Sequence, residues 1–96
     1  MNTHYVIVRT YSAGVFAGFL EKREGKEVTL INARRLWYWA GAASLSELAM
    51  HGTSAPTKCK FPVAVSRIQL MEAIEILEVT PEAKASIEEV PVWTQH

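Results

Sequence analysis

The sequence has little of what secreted or membrane-spanning proteins need. Its single cysteine, Cys59, excludes an intrachain disulfide framework and fits a reducing compartment. No segment approaches the roughly 20 apolar residues of a membrane-spanning helix, and the N-terminal segment lacks the apolar core of a signal peptide. We therefore expect a cytoplasmic protein without a membrane partner.

An excess of either charge is also missing, because ten basic and ten acidic side chains give a formal net charge of zero. Proteins that coat nucleic acid normally carry a large excess of positive charge, so the neutral net charge argues against this class. It remains compatible with a local basic pocket. Apolar residues make up 49% of the 96 residues, enough for one core and a single domain over residues 1–96. A chain this short leaves much apolar surface uncovered, which favours a homo-oligomer.

Motifs for catalysis and metal binding are absent from the sequence as well. The three histidines and Cys59 lack the paired spacing of a zinc site. No G-x-S-x-G motif occurs, and the turns have too few glycines for a phosphate-binding loop. We expect no enzymatic activity, no metal and no cofactor.

The first third of the chain has the pattern of a β meander. The β-branched and aromatic segments HYVIVRTY, VFAGFLEKR and EVTLINARRLWYW are separated by the turn signals SAG and EGK. Gly18 lies inside the second segment, where a glycine marks a bend or a close backbone approach. The pattern predicts a mainly β fold.

A short helix is predicted near residues 44–51. Ser44 or Ser46 is a suitable N-cap, and Gly52 is a suitable end. The segment HGTSAPTKCK then has the composition of an exposed loop, and FPVAVS returns to strand.

The signals over residues 66–79 are mixed. Leu, Met, Glu and Ala favour a helix, whereas the isoleucines and Val79 favour strand. We predict strand with a turn or bulge near residues 71–73. The next segment predicts a helix near residues 81–89, since Thr80 is a cap and proline suits the first helical position. We expect the tail beyond this helix to pack back onto the body through Trp93.

Phe16, Gly18 and Leu20 are spaced as F-x-G-x-L, and in the segment EVTLINA, Leu30 and Ala33 match the form N-x-x-L-x-x-A. Over about residues 5–34 this pattern resembles the Sm-like family. The resemblance implies a small SH3-type barrel and assembly into rings. The loop KREGKE lacks the usual Asp, a Glu replaces the usual Asn, and the I-R-G motif is missing, which argues against uridine recognition.

The whole chain is also similar to a group of small bacteriophage proteins, through the segments NARRLWYWAGAASLSELA, KFPVAV and IEEVPVW. This similarity carries no defined activity, but small phage proteins of this kind include inhibitors of bacterial immunity, and by analogy we expect such a role. Some such inhibitors sequester the nucleotide signals of host defence without cleaving them, for example cyclic oligonucleotides or ADP-ribose derivatives.

The run RRLWYW is the most informative part of the sequence. If it continues as strand, Arg35, Trp37 and Trp39 share one face, while Arg34 and Tyr38 share the other. A cationic and aromatic face suits bases that stack on indoles and phosphates that pair with guanidinium. The alternative is that the aromatics are core or subunit interface and the arginines extend over them.

Small residues follow this run, over residues 41–44. They leave space beside the aromatics for a flat ligand, or they form a tight turn without room for larger side chains. Ser44 is a candidate donor to an anion, and Lys58 and Lys60 add a second basic cluster.

These features together lead to one functional hypothesis and two alternatives. The hypothesis is a homo-oligomeric protein that sequesters a nucleotide-like small molecule in its pockets. The first alternative is an Sm-like ring that binds single-stranded RNA, and its binding would weaken steeply with salt. The second is an inhibitor that binds a host defence protein through the aromatic surface.

Overall fold

The computed structural model describes residues 4–94, whose strands form an antiparallel sheet accompanied by two short α-helices. The strands are β1 (Tyr5–Thr10), β2 (Val15–Glu24), β3 (Glu27–Arg35), β4 (Val65–Leu70) and β5 (Ala73–Glu78). The helices are α1 (Leu45–His51) and α2 (Pro81–Glu89), and a 3₁₀ helix spans Pro56–Lys58. The predictions of a mainly β fold and of helices near residues 44–51 and 81–89 are confirmed.

Local capping determines where both α-helices begin. The Ser44 hydroxyl accepts a hydrogen bond from the Glu47 amide at 3.1 Å, and the Thr80 hydroxyl accepts one from the Ala83 amide at 3.0 Å. Each bond satisfies an amide that has no partner inside its helix. The segment over residues 66–79 divides into β4, a two-residue turn and β5, as predicted.

The sheet is strongly curled. Its strand order is β4-β3-β2-β1-β5, so β4 and β5 are the two edges although only Met71 and Glu72 connect them. A flat five-stranded sheet would hold its edges about 19 Å apart. The short connection reaches at most about 11 Å. Complete closure into an Sm-like barrel stays a prediction, because the ladders within residues 4–94 leave one edge of β4 and one of β5 unpaired.

A register shift opposite Gly18 contributes to the curl. Ala17 pairs with Arg34 and Phe19 pairs with Ile31, so β3 has one more residue than β2 in this interval. Asn32, in this extra stretch, has a φ of 51°. A Cβ on Gly18 would lie 3.0 Å from the Ala33 Cα, so the predicted close backbone approach at Gly18 is confirmed.

Both faces of the curled sheet are buried, and they belong to different apolar clusters. The outer cluster joins the sheet to α1 and α2 and includes Tyr5, Ile7, Leu48, Phe61 and Ile87. The inner cluster lies within the curl and includes Val6, Val8, Phe16, Val28, Leu30 and Leu70. Burial on both faces explains why β1 is almost continuously apolar instead of alternating.

Candidate functional site

The sheet ends before the aromatic residues of the RRLWYW run are reached. Arg35 is the last residue of β3, because β2 begins at Val15, whose carbonyl accepts the Leu36 amide at 2.8 Å. Beyond this bond β2 offers no further residue to pair with. Tyr38 pairs instead with Lys60 in an isolated antiparallel bridge. The predicted continuation of the strand through the aromatics is therefore wrong, and the predicted alternation of faces stops with it.

A group of three exposed aromatic side chains and one partly buried lysine forms where the chain leaves the sheet. We call it the aromatic–lysine cluster, and its members are Trp37, Tyr38, Lys60 and Trp93. The indoles of Trp37 and Trp93 are stacked, with 5.0 Å between ring centroids and 15° between planes. The Lys60 ammonium lies 5.3 Å from the Trp37 ring, 5.8 Å from the Tyr38 ring and 5.7 Å from the Trp93 ring.

Backbone hydrogen bonds hold the three segments of the cluster side by side. The Lys60 amide donates to the Tyr38 carbonyl at 2.7 Å, and the Tyr38 amide donates back at 3.3 Å. The Trp93 amide donates to the Phe61 carbonyl at 3.0 Å. The cluster is therefore built from backbone pairing between distant segments, which favours a preorganised surface.

Lys60 forms no ion pair with any residue in the range 4–94. Three aromatic rings lie within 5.8 Å of its ammonium. Trp37 is 59% exposed and Trp93 is 37% exposed. The cluster thus presents a positive charge and an aromatic face to solvent.

Arg34 is buried beneath this region, and its predicted contact with a ligand is replaced by contacts with the backbone. The side chain is 7% exposed. Its guanidinium donates to five carbonyls, which belong to Phe61 (2.8 Å), Pro62 (3.3 Å), Ile87 (3.0 Å), Val90 (2.8 Å) and Pro91 (3.4 Å). Burial lowers the pKa of Arg34, while the nearby phenol of Tyr5 acts in the opposite direction. The carbonyls at the end of α2 are suitable acceptors, since this end of a helix favours cations.

Arg35 points away from Arg34 and lies apart from the aromatic–lysine cluster. Its side chain is exposed, and its guanidinium carbon lies 4.7 Å from the centroid of the Phe16 ring. The two neighbouring arginines thus contribute to different parts of the molecule. Leu20, the third residue of the F-x-G-x-L pattern, packs with Phe16 in the inner cluster.

Trp39 is withdrawn from the surface, and the small residues after it form a tight turn. The Trp39 side chain is half-buried against the outer cluster. Gly41 has a φ of 80°, and a Cβ there would lie 2.5 Å from the Ala55 nitrogen. The turn therefore has no room for larger side chains at Gly41. Of the two interpretations of this segment, the structure favours tight packing over a space for a ligand.

The remaining predicted residues do not join the cluster. The hydroxyl of Ser44 is engaged as the cap of α1. Lys58 is exposed on the 3₁₀ helix. The three aromatic rings of the cluster contact Lys60 and do not contact Lys58. Cys59, between them, is buried and its sulfur contacts the Ala40 carbonyl at 3.5 Å.

Two negative findings apply to residues 4–94. These residues contain no group of three or more His, Cys, Asp or Glu side chains placed to hold a metal ion. No helix in the same range has both the length and the apolar character needed to cross a membrane.

A family model matches residues 3–87, which is most of the chain. The chain belongs to the DUF6948 family, a domain of unknown function. No curated protein and no solved structure matches it.

The DUF6948 match includes every member of the aromatic–lysine cluster except Trp93, which follows the matched segment. Trp93 is also the cluster residue that the sequence-based site lacked. The sequence predicted that Trp93 packs back onto the body, and its stacking on Trp37 confirms this. A third tryptophan in a short polar tail was the available signal, but its partner could not be named from spacing.

Proposed function

We propose that this DUF6948 protein is a non-catalytic binding protein that holds a nucleotide-like molecule on the aromatic–lysine cluster. One observation carries the proposal: the ammonium of Lys60, which has no ion-pair partner within residues 4–94, lies within 5.8 Å of three aromatic rings, two of which are stacked. A nucleotide combines the two groups that complement such a surface, a flat base and an anionic phosphate.

Each part of the ligand has a partner of suitable chemistry. The outer face of Trp37 offers a stacking platform for a base, a contact worth about 1–3 kcal/mol per base. Lys60 offers a compact charge for phosphate. The stack between Trp37 and Trp93 already orders the platform, so less conformational entropy is lost when the ligand binds.

We propose in addition that the protein forms a homo-oligomer. The outer edges of β4 and β5 have no partner strand among residues 4–94, and unpaired edges are templates for pairing with another chain. An exposed apolar side chain on the edge strand β5, Ile74, would be covered in such an assembly. Multi-angle light scattering measures this directly, and a monomer mass at every concentration would contradict it.

The similarity to small phage proteins extends the proposal to a biological role. In that role the protein would sequester a nucleotide signal of host immunity, such as a cyclic oligonucleotide or an ADP-ribose derivative, in the host cytoplasm. Sequestration requires tight binding and no turnover, which agrees with the absence of catalytic motifs from the sequence.

The test is calorimetry of the wild-type protein against cyclic oligonucleotides and ADP-ribose derivatives. We expect Trp37→Ala and Lys60→Gln each to weaken binding about fivefold or more, since each removes a contact worth at least about 1 kcal/mol. Lys58→Gln is the matched control, because Lys58 is an exposed lysine outside the three-ring contact. Binding that is unchanged in both cluster variants would contradict the proposed site.

Binding experiments with the same variants distinguish the two alternative functions. Binding of single-stranded RNA that weakens steeply with salt would favour the Sm-like RNA-binding function. A protein partner is the second candidate, since Val92 and Trp93 expose an apolar patch beside Trp37 and exposed tryptophans are frequent binding hot spots. Co-purification of a host protein with the wild type, and its loss with Trp37→Ala, would favour that function.

A further inference from the structure

Arg35 differs from the other described arginines in its polar contacts. Arg9 and Arg67 donate to carboxylates of Glu75 and Glu21, Arg23 donates to a carbonyl, and Arg34 donates to five carbonyls. Among residues 4–94, the Arg35 side chain has no hydrogen-bond or ion-pair partner, and its guanidinium lies over the Phe16 ring. Its N–H donors are therefore directed to solvent at the opening of the inner cluster.

A groove runs on both sides of Arg35. Its two lobes share Phe16, Arg35 and Ile68 as lining residues. The apolar lobe has a volume of about 210 Å³ and continues over Pro62, Val63 and Val65. The second lobe has a volume of about 270 Å³ and also contains the apolar residues Leu70 and Met71. We call it the polar lobe because Thr10, Ser12, Gln69 and Glu72 line it as well. The apolar lobe is smaller than a typical site for a drug-sized molecule, about 300–1,000 Å³, and so suits a short apolar chain.

The charges along the groove determine which kind of ligand is complementary to it. Arg35 is the cation that lines both lobes, and the apolar lobe contains no acidic side chain. Glu72 lines the polar lobe, so an anion there would be repelled. Phe16, which is 2% exposed, keeps water from one side of the guanidinium and strengthens an ion pair formed on the other side.

We propose that this groove is a second binding site, separate from the aromatic–lysine cluster, for a small molecule with an apolar body and one carboxylate. The carboxylate accepts hydrogen bonds from Arg35, in the two-pronged geometry that guanidinium favours. The apolar body covers Val63, Val65 and Ile68. Val63 and Val65 are exposed, so covering them removes apolar surface from water.

Octanoate is a suitable probe, and octan-1-ol is its uncharged counterpart. In a ¹H–¹⁵N NMR titration, the amide chemical shifts report both the affinity of the probe and the place where it binds. We expect octanoate to shift amides of the apolar lobe in a saturable way. Arg35→Gln is expected to weaken octanoate about 10-fold to 100-fold, because one charge-assisted contact is lost. The same substitution should leave the weaker binding of octan-1-ol unchanged.

Three further variants show whether octanoate binds in this groove or elsewhere on the protein. Arg67→Gln removes a different exposed arginine and should leave octanoate affinity unchanged. Val63→Ser should weaken both octanoate and octan-1-ol, and its exposed position makes a folding defect unexpected. Lys60→Gln should not affect octanoate, so failure of nucleotide binding at the cluster and failure at this groove are distinguishable.

Several results would overturn the proposal. They are equal octanoate affinity in wild type and Arg35→Gln, shifts that do not saturate, and shifts that map to the aromatic–lysine cluster. If wild-type protein is an oligomer that Arg35→Gln dissociates, and octanoate does not bind, the groove is a contact between subunits and the proposal is wrong.

Discussion

Arg34 and Arg35 are adjacent on β3 and carry the same guanidinium group, but their surroundings have little in common. Arg34 is 7% exposed and donates to five backbone carbonyls. Arg35 is exposed and rests on the Phe16 ring. Strand alternation sends the two side chains to opposite faces. One face meets the end of α2, and the other meets the open side of the curled sheet.

The comparison shows that a basic pair beside aromatics is not a binding motif by itself. The carbonyls around Arg34 need a hydrogen-bond donor, which is either a cation or water. Because Arg34 donates to five of them, we assign it a structural role. Through Phe61 and Pro91 it also supports the segments that carry Lys60 and Trp93. A search for ligand contacts should therefore concentrate on Arg35 and Lys60, whose charges have no anionic partner among residues 4–94.

The largest expected effect is the loss of stability in Arg34→Met. The substitution leaves several carbonyls without their donor. Each unsatisfied buried acceptor costs about 1–3 kcal/mol, so we expect a decrease of about 3 kcal/mol or more in the free energy of unfolding. Urea denaturation followed by circular dichroism measures it. Arg34→Lys, which keeps the charge but loses the planar set of donors, should recover only part of the loss. A decrease below about 1 kcal/mol in Arg34→Met would contradict the structural role.

The second expected effect is a loss of stability at high pH through Tyr5, on the Arg34 side of the sheet. Burial raises the pKa of Tyr5 to about 12, and the Glu88 carboxylate adds to the rise while Arg34 opposes it. Since the unfolded phenol has a pKa of about 10, the folded state favours the neutral form. This stabilisation is complete below pH 10 and is lost as the pH rises toward 12.

The expected loss from Tyr5 is about 2–3 kcal/mol between these two pH values. Denaturant titrations at a series of pH values provide the measurement, with Tyr5→Phe as the control that lacks the phenol. If Tyr5→Phe loses as much stability as wild type over this interval, the perturbed Tyr5 is not the cause.

The third effect concerns the stack between Trp37 and Trp93, a contact worth about 0.5–1.5 kcal/mol. Stacked indoles give a coupled signal in circular dichroism. We expect this signal to decrease in Arg34→Lys, because the segments beneath the stack lose part of their support, and to remain in Arg35→Lys. Trp93→Phe removes one of the two indoles, so the part of the circular dichroism signal that is lost in this variant comes from the stack. Equal signals in the two lysine variants would mean that Arg34 does not position the cluster.

The smallest expected effect is that of Arg35→Ala on stability. An exposed cation over an aromatic ring contributes about 0.5–1 kcal/mol, and no hydrogen bond to a described residue is lost. Thermal and urea denaturation together provide the measurement. A loss as large as that of Arg34→Met would remove the contrast between the two arginines.

Much of the fold could be predicted because its signals are local. Ser44 and Thr80 cap the helices through bonds to residues three positions later, and Gly18 marks a close approach that its lack of a side chain permits. The end of β3 could not be predicted in the same way. It depends on where the partner strand β2 begins, at Val15, and that is a property of pairing between segments.

The candidate site was predictable in composition but not in arrangement. Trp37, Tyr38 and Lys60 were among the predicted residues, whereas Trp93 was absent and Trp39 belongs to the outer cluster. Indole stacking and cation–ring contacts require neighbours in space, and the periodicity of one strand says nothing about a segment that arrives from the other end of the chain.

The sequence by itself determined the mainly β class, the two helices, the turn between β4 and β5 and the opposite directions of Arg34 and Arg35. These follow from capping, turn composition and the two-residue period of a strand, all of which act over a few residues. Only the tertiary structure decided that Arg34 is buried, that Lys60 lies among three rings and that Arg35 lies in a groove. Each of these depends on which segments meet across the curled sheet and at the end of α2.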